Sequence, residues 1–199
     1  MTTGPMTLLQ MAGAKLELPK LADSTLVLID YQNEYRSGPL KLVDVEAAIA
    51  EGAALLGKAR EAGAKIIHIA HRGAAGGAFD RAQPRGQIID ELAPKAGEVV
   101  IEKPLPNAFA KTNLAEVLAG AGQRPLVIAG FMTHMCVSST VRAALDLGHF
   151  STVVASACTT RDLPGVDGKA VPGGMIHQVA LTELADRFCQ IARSSSDFA

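Results

Sequence analysis

The sequence predicts an α/β fold, a three-layer, doubly wound sandwich built around a five- or six-stranded parallel sheet. Short apolar runs rich in Val and Ile recur along the chain, and they are continuous rather than alternating, as in strands buried on both faces. Helical patterns, several of which end at a glycine, separate these runs. Strands and helices that alternate in this way favour a parallel sheet with right-handed crossovers.

Five apolar runs are predicted to be strands, and residues 188–192 (FCQIA) could form a sixth. All of them are short and rich in the residue types that strands favour. The five are Thr25–Ile29 (TLVLI), Lys65–Ala70 (KIIHIA), Val99–Ile101 (VVI), Pro125–Ala129 (PLVIA) and Ser151–Ala155 (STVVA).

Four segments between and after these runs are predicted to be helices. They are Val43–Ala62, Thr112–Ala119, Met135–Leu147 and Gly173–Phe188. The first three are followed at once by Gly63, Gly120 and Gly148, which are plausible C-caps. The Gly- and Pro-rich segments His71–Gly86 and Thr159–Gly174 are predicted to be loops.

The composition favours one domain with a sizeable core. The chain has 199 residues, of which 48% are hydrophobic. We expect an N-terminal arm over residues 1–22, a domain over 23–193 and a C-terminal tail over 194–199. With 19 Lys and Arg against 20 Asp and Glu, the net charge of −1 argues against a nucleic-acid partner. Neither a polybasic segment nor an apolar run of spanning length indicates a membrane partner.

Cysteine usage and the N-terminal residues favour a reducing compartment. The chain has three widely spaced cysteines and no CxxC pair, a pattern that fits neither a disulfide framework nor a zinc site. The first residues, MTTGPMTLLQ, lack the basic and apolar regions of a signal peptide. We therefore expect a cytoplasmic protein.

Polar side chains follow each predicted strand at its carboxyl end, where open parallel sheets bind ligands. A carboxylate, an ammonium and a thiol are therefore expected to meet at one edge of the sheet. In chain order these polar residues are Asp30, His71, Arg72, Lys103, Thr133, His134, Cys136, Cys158, Thr159, Thr160, Arg161 and Asp162.

Each of these residues also has a simpler interpretation. Asp30 could only cap a turn, and an isolated lysine such as Lys103 is more often a surface residue. Cys158 and Cys189 are interpreted as small core residues, since neither opens a helix beside matching partners. His68 lies within a predicted strand and is expected to be a hydrogen-bonded core histidine.

Cys136 has the strongest case for a chemical role, because of its position in GFMTHMCVSSTVRAAL. A strand ends at Gly130, a tight turn follows, and the predicted helix begins near the cysteine. Free N–H groups and the positive end of the helix dipole at such a position favour the thiolate and lower its pKa. The same N–H groups could stabilise an oxyanion.

The chain resembles the isochorismatase-like cysteine hydrolases, which include nicotinamidases, N-carbamoyl amidohydrolases and isochorismatases. The resemblance extends from about Thr25 to Ile191. It is carried by three segments in the right order, each beginning in or next to a predicted strand. They are LVLIDYQNEY around Asp30, VVIEKPLPNAFAKTNL around Lys103 and VIAGFMTHMCVSSTVRAALDLG around Cys136.

The resemblance implies a role for each matching position. Asp30 would be the general base, Lys103 would stabilise the thiolate and developing negative charge, and Cys136 would attack a carbonyl carbon to give a thioester. It also implies a cis peptide bond between Phe131 and Met132. That bond would aim the N–H groups of Met132 and Cys136 at the oxyanion.

Further residues are expected to line the substrate pocket, although the aromatic ones could instead be core or dimer-interface residues. Arg72 or Arg161 could bind a substrate carboxylate, or both could be surface arginines. Nicotinamidases carry an Asp-x-His metal motif after the second strand, and this chain lacks it, so we predict no metal and no cofactor. The expected pocket residues are Tyr31, Tyr35, His71, Phe79, Phe109, Phe131, Met132 and Thr160.

The sequence therefore predicts a metal-independent cysteine hydrolase that cleaves a small amide, carbamoyl or related C–N bond. Two alternatives stay open: an isochorismatase-type vinyl ether hydrolase, and a non-catalytic ligand-binding protein on the same fold. The expected partner is a small-molecule substrate, and the resemblance implies a homodimer or homotetramer.

Overall fold

A computed structural model describes residues 4–122 and 124–198, and its centre is a six-stranded parallel sheet. The strands are β1 (Thr25–Ile29), β2 (Lys65–His71), β3 (Val99–Lys103), β4 (Leu126–Phe131), β5 (Ser151–Thr159) and β6 (Cys189–Ala192). Their order across the sheet is β3-β2-β1-β4-β5-β6, with parallel pairing throughout. The predicted α/β fold is confirmed, with six strands rather than five.

Helices cover both faces of the sheet and make the structure a three-layer sandwich. They are α1 (Leu8–Met11), α2 (Val45–Glu61), α3 (Leu114–Gly120), α4 (Ser138–Asp146) and α5 (Gly173–Arg187). Alternate residues of each strand point to opposite faces. In β1, Leu26 and Leu28 pack in the core that includes α2, whereas Val27 and Ile29 pack in the core that includes α3, α4 and α5.

Strands β2, β3 and β5 extend further toward their carboxyl ends than the apolar runs predicted. His71 and Lys103 are the last residues of β2 and β3, and they are partners in the parallel register of these strands. Ladder hydrogen bonds join backbone groups, so a strand can continue through polar residues that end an apolar pattern. As a result, two residues expected in loops are held by the sheet itself.

The predicted helix Met135–Leu147 begins earlier than expected. A π-helical turn, Thr133–Val137, leads directly into α4, so Cys136 lies inside the first turn of a continuous helical segment. The segment predicted as the loop Thr159–Gly174 contains a short antiparallel hairpin formed by Leu163–Pro164 and Ala170–Val171.

Gly130 allows β4 to approach β1 closely just before the cysteine turn. Its φ of 137° is a conformation that residues with side chains rarely adopt. A Cβ atom at this position would collide with the backbone oxygen of Ile29. The pairing of β4 with β5 also shifts register between Ile128 and Gly130.

Both ends of the described chain pack on the sandwich. The N–H of Leu8 donates a 2.8 Å hydrogen bond to Asp186 in α5. At the other end, Lys58 Nζ donates to the carbonyl oxygens of Ser195 and Phe198 at 3.0 and 2.9 Å, and Phe198 is buried. The division into arm, domain and tail stays a prediction. Among the described residues, no helix is both long and apolar enough to cross a membrane.

A half-buried ion-pair network joins α2 to the edge of the sheet. Glu98 accepts hydrogen bonds from Arg60 at 2.7 and 2.9 Å and from the Lys95 N–H at 2.8 Å, and His68 Nε2 lies 2.9 Å from it. Burial alone would raise the pKa of Glu98, but these hydrogen bonds lower it to about 2. His68 is therefore the hydrogen-bonded core histidine that the sequence predicts.

We predict that Glu98→Gln lowers the free energy of unfolding by about 1–3 kcal/mol, because it weakens charge-assisted hydrogen bonds. Urea denaturation followed by circular dichroism measures this. The difference from the wild type should shrink as the pH falls from 4.5 toward 2, because the stability gained from a lowered pKa is lost as the carboxylate takes up its proton. The control is Glu183→Gln, at an ion pair whose carboxylate is 59% exposed. Equal effects of the two substitutions would contradict the prediction.

Candidate active site

Asp30 follows the last residue of β1 and points into the carboxyl edge of the sheet. Its backbone has a φ of 52°, in the left-handed region, and its N–H donates a 2.9 Å hydrogen bond to the carbonyl of Ile69. The residue is fully buried. Asp is among the few residue types that tolerate this conformation, and such strain persists where surrounding structure enforces it.

Lys103 is the centre of the site. Its side chain is 0% exposed, and its Nζ atom has three close neighbours. Asp30 Oδ2 lies 2.7 Å away, Cys136 Sγ lies 3.3 Å away, and His71 Nδ1 also lies 3.3 Å away. An ammonium has three N–H donors and no acceptor, so these three neighbours match its full capacity. The structure therefore brings Asp30, Lys103 and Cys136 together as the sequence predicts.

Cys136 does not have the lowered pKa that its position in the sequence predicts. The thiol is 4% exposed within the π-helical turn. Burial raises its pKa to about 12, the Asp30 carboxylate adds to this rise, and Lys103 opposes it. The resting state is therefore a thiol beside an aspartate–lysine pair.

The Asp30 carboxyl has the properties of a proton acceptor. Burial raises its pKa above the usual value, and Lys103 opposes only part of that rise. Both of its carboxylate oxygens are buried, and no hydrogen bond of good geometry reaches either of them from the part of the chain that the structure describes, although Oδ2 forms the ion pair with Lys103. A buried carboxylate oxygen with free acceptor capacity beside a thiol can take the thiol proton.

His71 is a fourth member of the cluster, which the sequence placed near the edge without finding its partner. Because a lysine ammonium only donates, His71 Nδ1 must be the acceptor, and the neutral ring carries its proton on Nε2. Burial, and to a smaller extent the charge of Lys103, lower the pKa of His71 to about 4. The ring is therefore neutral at physiological pH.

Gln32 fixes the backbone of His71, and sequence reasoning gave it no role. Its side-chain amide accepts from the His71 N–H at 2.7 Å and donates to the His71 carbonyl at 3.0 Å and the Gly86 carbonyl at 2.7 Å. Gln32 is fully buried. The signal in the sequence was a polar residue that comes two positions after Asp30, directly behind a buried strand.

Tyr35 and Phe79 pack beside His71. The Phe79 ring lies 5.0 Å from Tyr35 and 5.2 Å from His71 between centroids. Burial raises the pKa of Tyr35, and the charge of Asp30 adds to the rise, so the hydroxyl lies within electrostatic range of that carboxylate. The Phe79 N–H donates to buried Glu34 at 3.2 Å, and this bond anchors the segment after β2 over the cluster.

The turn that carries Cys136 is tied to neighbouring elements by hydroxyl groups. Thr133 Oγ1 donates to the carbonyl of Thr159 at 3.1 Å and accepts from His177 Nδ1 at 2.8 Å. His134 Nδ1 lies 2.6 Å from Oγ1 of Thr160, another of the predicted pocket residues. The peptide bond between Phe131 and Met132 is cis, at the position that the resemblance implies.

Of three further predicted pocket residues, Phe131 is joined to this cluster by its ring, 5.7 Å from that of Tyr35, whereas Tyr31 and Phe109 make other contacts. The Tyr31 hydroxyl donates to the carbonyl of Ala157 at 2.5 Å, and its ring packs on fully buried Phe131 at 4.6 Å. The Phe109 ring stacks on His149 at 6.4 Å, in the turn before β5 and at the far end of that strand. Their roles in substrate binding stay predictions.

The two candidate arginines differ in their surroundings. Arg72 has a side chain that is 62% exposed and lies 3.7 Å from Glu102, so it forms a surface ion pair. Arg161 has a buried Nε atom with no hydrogen-bond partner among the described residues, while its Nη1 atom donates a 3.4 Å hydrogen bond to the carbonyl of Asp162. Its charge lies within electrostatic range of Tyr35 and His134. Of the two, Arg161 is the arginine with free capacity near the cluster.

Residues 4–122 and 124–198 contain no group of three or more His, Cys, Asp or Glu placed to hold a metal ion.

The fold and the grouped Asp, Lys and Cys side chains define an α/β protein with a parallel sheet and a buried thiol at the carboxyl edge of that sheet. The chain belongs to the isochorismatase family, because the isochorismatase domain matches residues 24–196. This confirms the resemblance found in the sequence, and the chain is therefore an isochorismatase-family hydrolase.

Relatives of the chain are named either as isochorismatases or as amidohydrolases. It is 40% identical over 185 residues to a secreted isochorismatase effector of Verticillium dahliae, covering 92% of this chain and 95% of that protein. A solved structure of an isochorismatase from Pseudomonas putida is 43% identical and has a TM-score of 0.94, covering 98% of this chain and 100% of that chain. A maleamate amidohydrolase of Pseudomonas putida is 32% identical over 150 residues, covering 67% of this chain and 70% of that protein.

We predict that iodoacetamide alkylates Cys136 slowly at pH 7 and that the rate keeps rising with pH to 9 and beyond. The reason is that burial and Asp30 raise the pKa of the thiol to about 12, so the thiolate is scarce at neutral pH. Peptide mapping by mass spectrometry measures the rate at this cysteine. The same thiol in the urea-unfolded chain is the control. A rate that reaches its plateau below pH 7 would contradict the prediction.

Proposed function

We propose that the chain is a metal-independent cysteine hydrolase that cleaves the C–N bond of a small amide or carbamoyl compound through a thioester at Cys136. The observation that carries this proposal is the position of the Lys103 ammonium, 2.7 Å from Asp30 and 3.3 Å from the Cys136 sulfur. A base, a cation and a nucleophile in mutual contact are the parts that acyl transfer requires.

In the first half of the reaction, the thiol proton of Cys136 moves to the Asp30 carboxylate, and the resulting thiolate then attacks the carbonyl carbon. The raised pKa of Asp30 favours this transfer, because the carboxylate holds a proton more readily than an ordinary aspartate. The Lys103 ammonium then attracts the neutral Asp30 carboxyl less strongly and attracts the negatively charged sulfur more strongly. The negative charge therefore moves between two neighbours of the same ammonium, at little electrostatic cost.

The carbonyl oxygen becomes an oxyanion, for which the backbone N–H groups of Met132 and Cys136 are the proposed donors. Collapse of this intermediate breaks the C–N bond, and the leaving nitrogen takes the proton from Asp30. Water then attacks the thioester. Asp30 accepts a proton from that water and returns it to the sulfur as the acid product leaves.

We further propose that the substrate carries a carboxylate besides the scissile bond. The buried Nε of Arg161 finds no partner among the described residues, and a guanidinium binds a carboxylate through paired N–H donors. The relative named maleamate amidohydrolase acts, by its name, on a compound with both an amide and a carboxylate.

A second candidate function is hydrolysis of a vinyl ether of the isochorismate type. The names of relatives 40% and 43% identical to the chain favour it. That chemistry needs a proton donor such as Asp30 but no thiol, so the two candidates differ in their dependence on Cys136. A non-catalytic binding protein would show neither activity and would depend on neither residue.

We predict that Cys136→Ala and Asp30→Asn each lower kcat on a small carboxylate-bearing amide such as maleamate by about 10⁴-fold or more, because each removes a group that takes part in bond making. Steady-state release of ammonia measures kcat. The control is Cys189→Ala, at a buried thiol at the start of β6, which should keep most of the activity. Dialysis against a chelator should leave kcat unchanged.

The two candidate functions give different outcomes in these variants. Unchanged amide turnover in Cys136→Ala would contradict the thioester mechanism. Vinyl ether hydrolysis that survives Cys136→Ala and is lost in Asp30→Asn would instead support the second candidate.

We predict that Arg161→Gln raises KM for a carboxylate-bearing amide by about 10- to 100-fold, because a charge-assisted pair is lost. The methyl ester of the same compound should show little change. Arg72→Gln is the matched control, since that side chain lies in a surface ion pair. If Arg161→Gln affects acid and ester equally, Arg161 does not bind the carboxylate.

A further inference from the structure

We propose that His71 is a positioning residue that holds the Lys103 ammonium between Asp30 and Cys136 by accepting a hydrogen bond from it. The inference rests on the proposed function, since it concerns the same cluster. The observation behind it is the 3.3 Å contact from Lys103 Nζ to His71 Nδ1, at the end of two paired strands.

A flexible lysine side chain needs such a third contact to stay between its two other partners. Asp30 Oδ2 is the closer of them at 2.7 Å, and the sulfur of Cys136 is further away at 3.3 Å. Without His71, the ammonium would be free to move toward the carboxylate and away from the sulfur. The charge would then be misplaced when the thiolate forms.

His71 is itself held rigidly enough to set this position. The amide of Gln32 binds the N–H and the carbonyl of His71 at 2.7 and 3.0 Å. The residue is the last of β2, in register with Lys103 of β3. The edge of the Phe79 ring packs against the imidazole at 5.2 Å. Backbone and ring are therefore both fixed, as expected of a group whose task is to orient another.

The acceptor role requires a neutral imidazole, and the surroundings favour one. Protonation would turn Nδ1 from an acceptor into a donor and place two cations 3.3 Å apart. Burial and Lys103 lower the pKa of His71 to about 4. The charged or titratable groups on the elements packed around it are Lys103 on β3, Asp30, Glu34 and Tyr35 after β1, Cys136 in the π-helical turn, Arg72 next to it in the chain, and Asp80 and Arg81 beside Phe79.

The test compares His71→Ala with His71→Asn, whose Oδ1 atom can take the place of Nδ1 as an acceptor. We expect His71→Ala to lower kcat by about 10- to 100-fold with little change in KM, because a hydrogen bond to a charged group is lost. His71→Asn should keep most of the kcat that His71→Ala loses. The acid limb of its pH profile should be shallower than that of the wild type, because the titrating imidazole is gone. His68→Asn is the control for a buried histidine on the same strand, and it should lower stability without lowering kcat.

Two further measurements do not depend on activity. In ¹⁵N-labelled protein at pH 7, His71 should show a bare Nδ1 and a protonated Nε2. In crystal structures, the distance from Lys103 Nζ to Cys136 Sγ should lengthen in His71→Ala and stay near 3.3 Å in His71→Asn. A proton on Nδ1, or wild-type kcat with an unmoved Lys103 in His71→Ala, would overturn the proposal.

These outcomes separate the positioning role from the proposed function. If amide turnover does not depend on Cys136, the proposed function fails, while the imidazole tautomer and the Lys103 position still test His71. If Cys136 is essential and His71→Ala behaves like the wild type, only the positioning role fails.

Discussion

The site depends on one buried ammonium. Lys103 is fully buried, and its charge is balanced by Asp30 at 2.7 Å while it also contacts Cys136 and His71. Removing one partner of a buried ion pair typically lowers the free energy of unfolding by about 3–5 kcal/mol. The fold must therefore hold Asp30 and Lys103 together. In the proposed mechanism, the same charge lets a thiol with a raised pKa react, because proton transfer to Asp30 leaves the ammonium beside the new thiolate.

The parallel sheet supplies that enforcement through its backbone. Register pairing places His71 beside Lys103, and adjacent β1 ends at Asp30. Gly130 lets β4 approach β1 closely before the chain turns toward Cys136. Gln32 then joins the turn after β1 to the end of β2. Four strand ends therefore position the reactive groups, and the segment bearing Phe79 covers them.

Much of the fold could be predicted from the sequence, because continuous Val- and Ile-rich runs identify buried strands well. The ends of the strands could not be predicted, because His71 and Lys103 are polar and the backbone hydrogen bonds of the sheet continue through them. The convergence of Asp30, Lys103 and Cys136 followed from parallel topology. The pKa of the Cys136 thiol could not be predicted, because the sequence shows where a helix begins but not how fully the thiol is buried. The contact of His71 with Lys103 depends on register, which no single segment reveals.

The central claim is that Cys136 becomes acylated. The most direct measurement mixes an excess of the enzyme with a carboxylate-bearing amide and stops the reaction with acid within the first turnover. The protein is then analysed by mass spectrometry. The account predicts that the acyl group is found on the peptide containing Cys136, and that the mass gain disappears as free acid accumulates. Release of ammonia at the full rate with the acyl group on another residue, or on none at any time sampled, would contradict it.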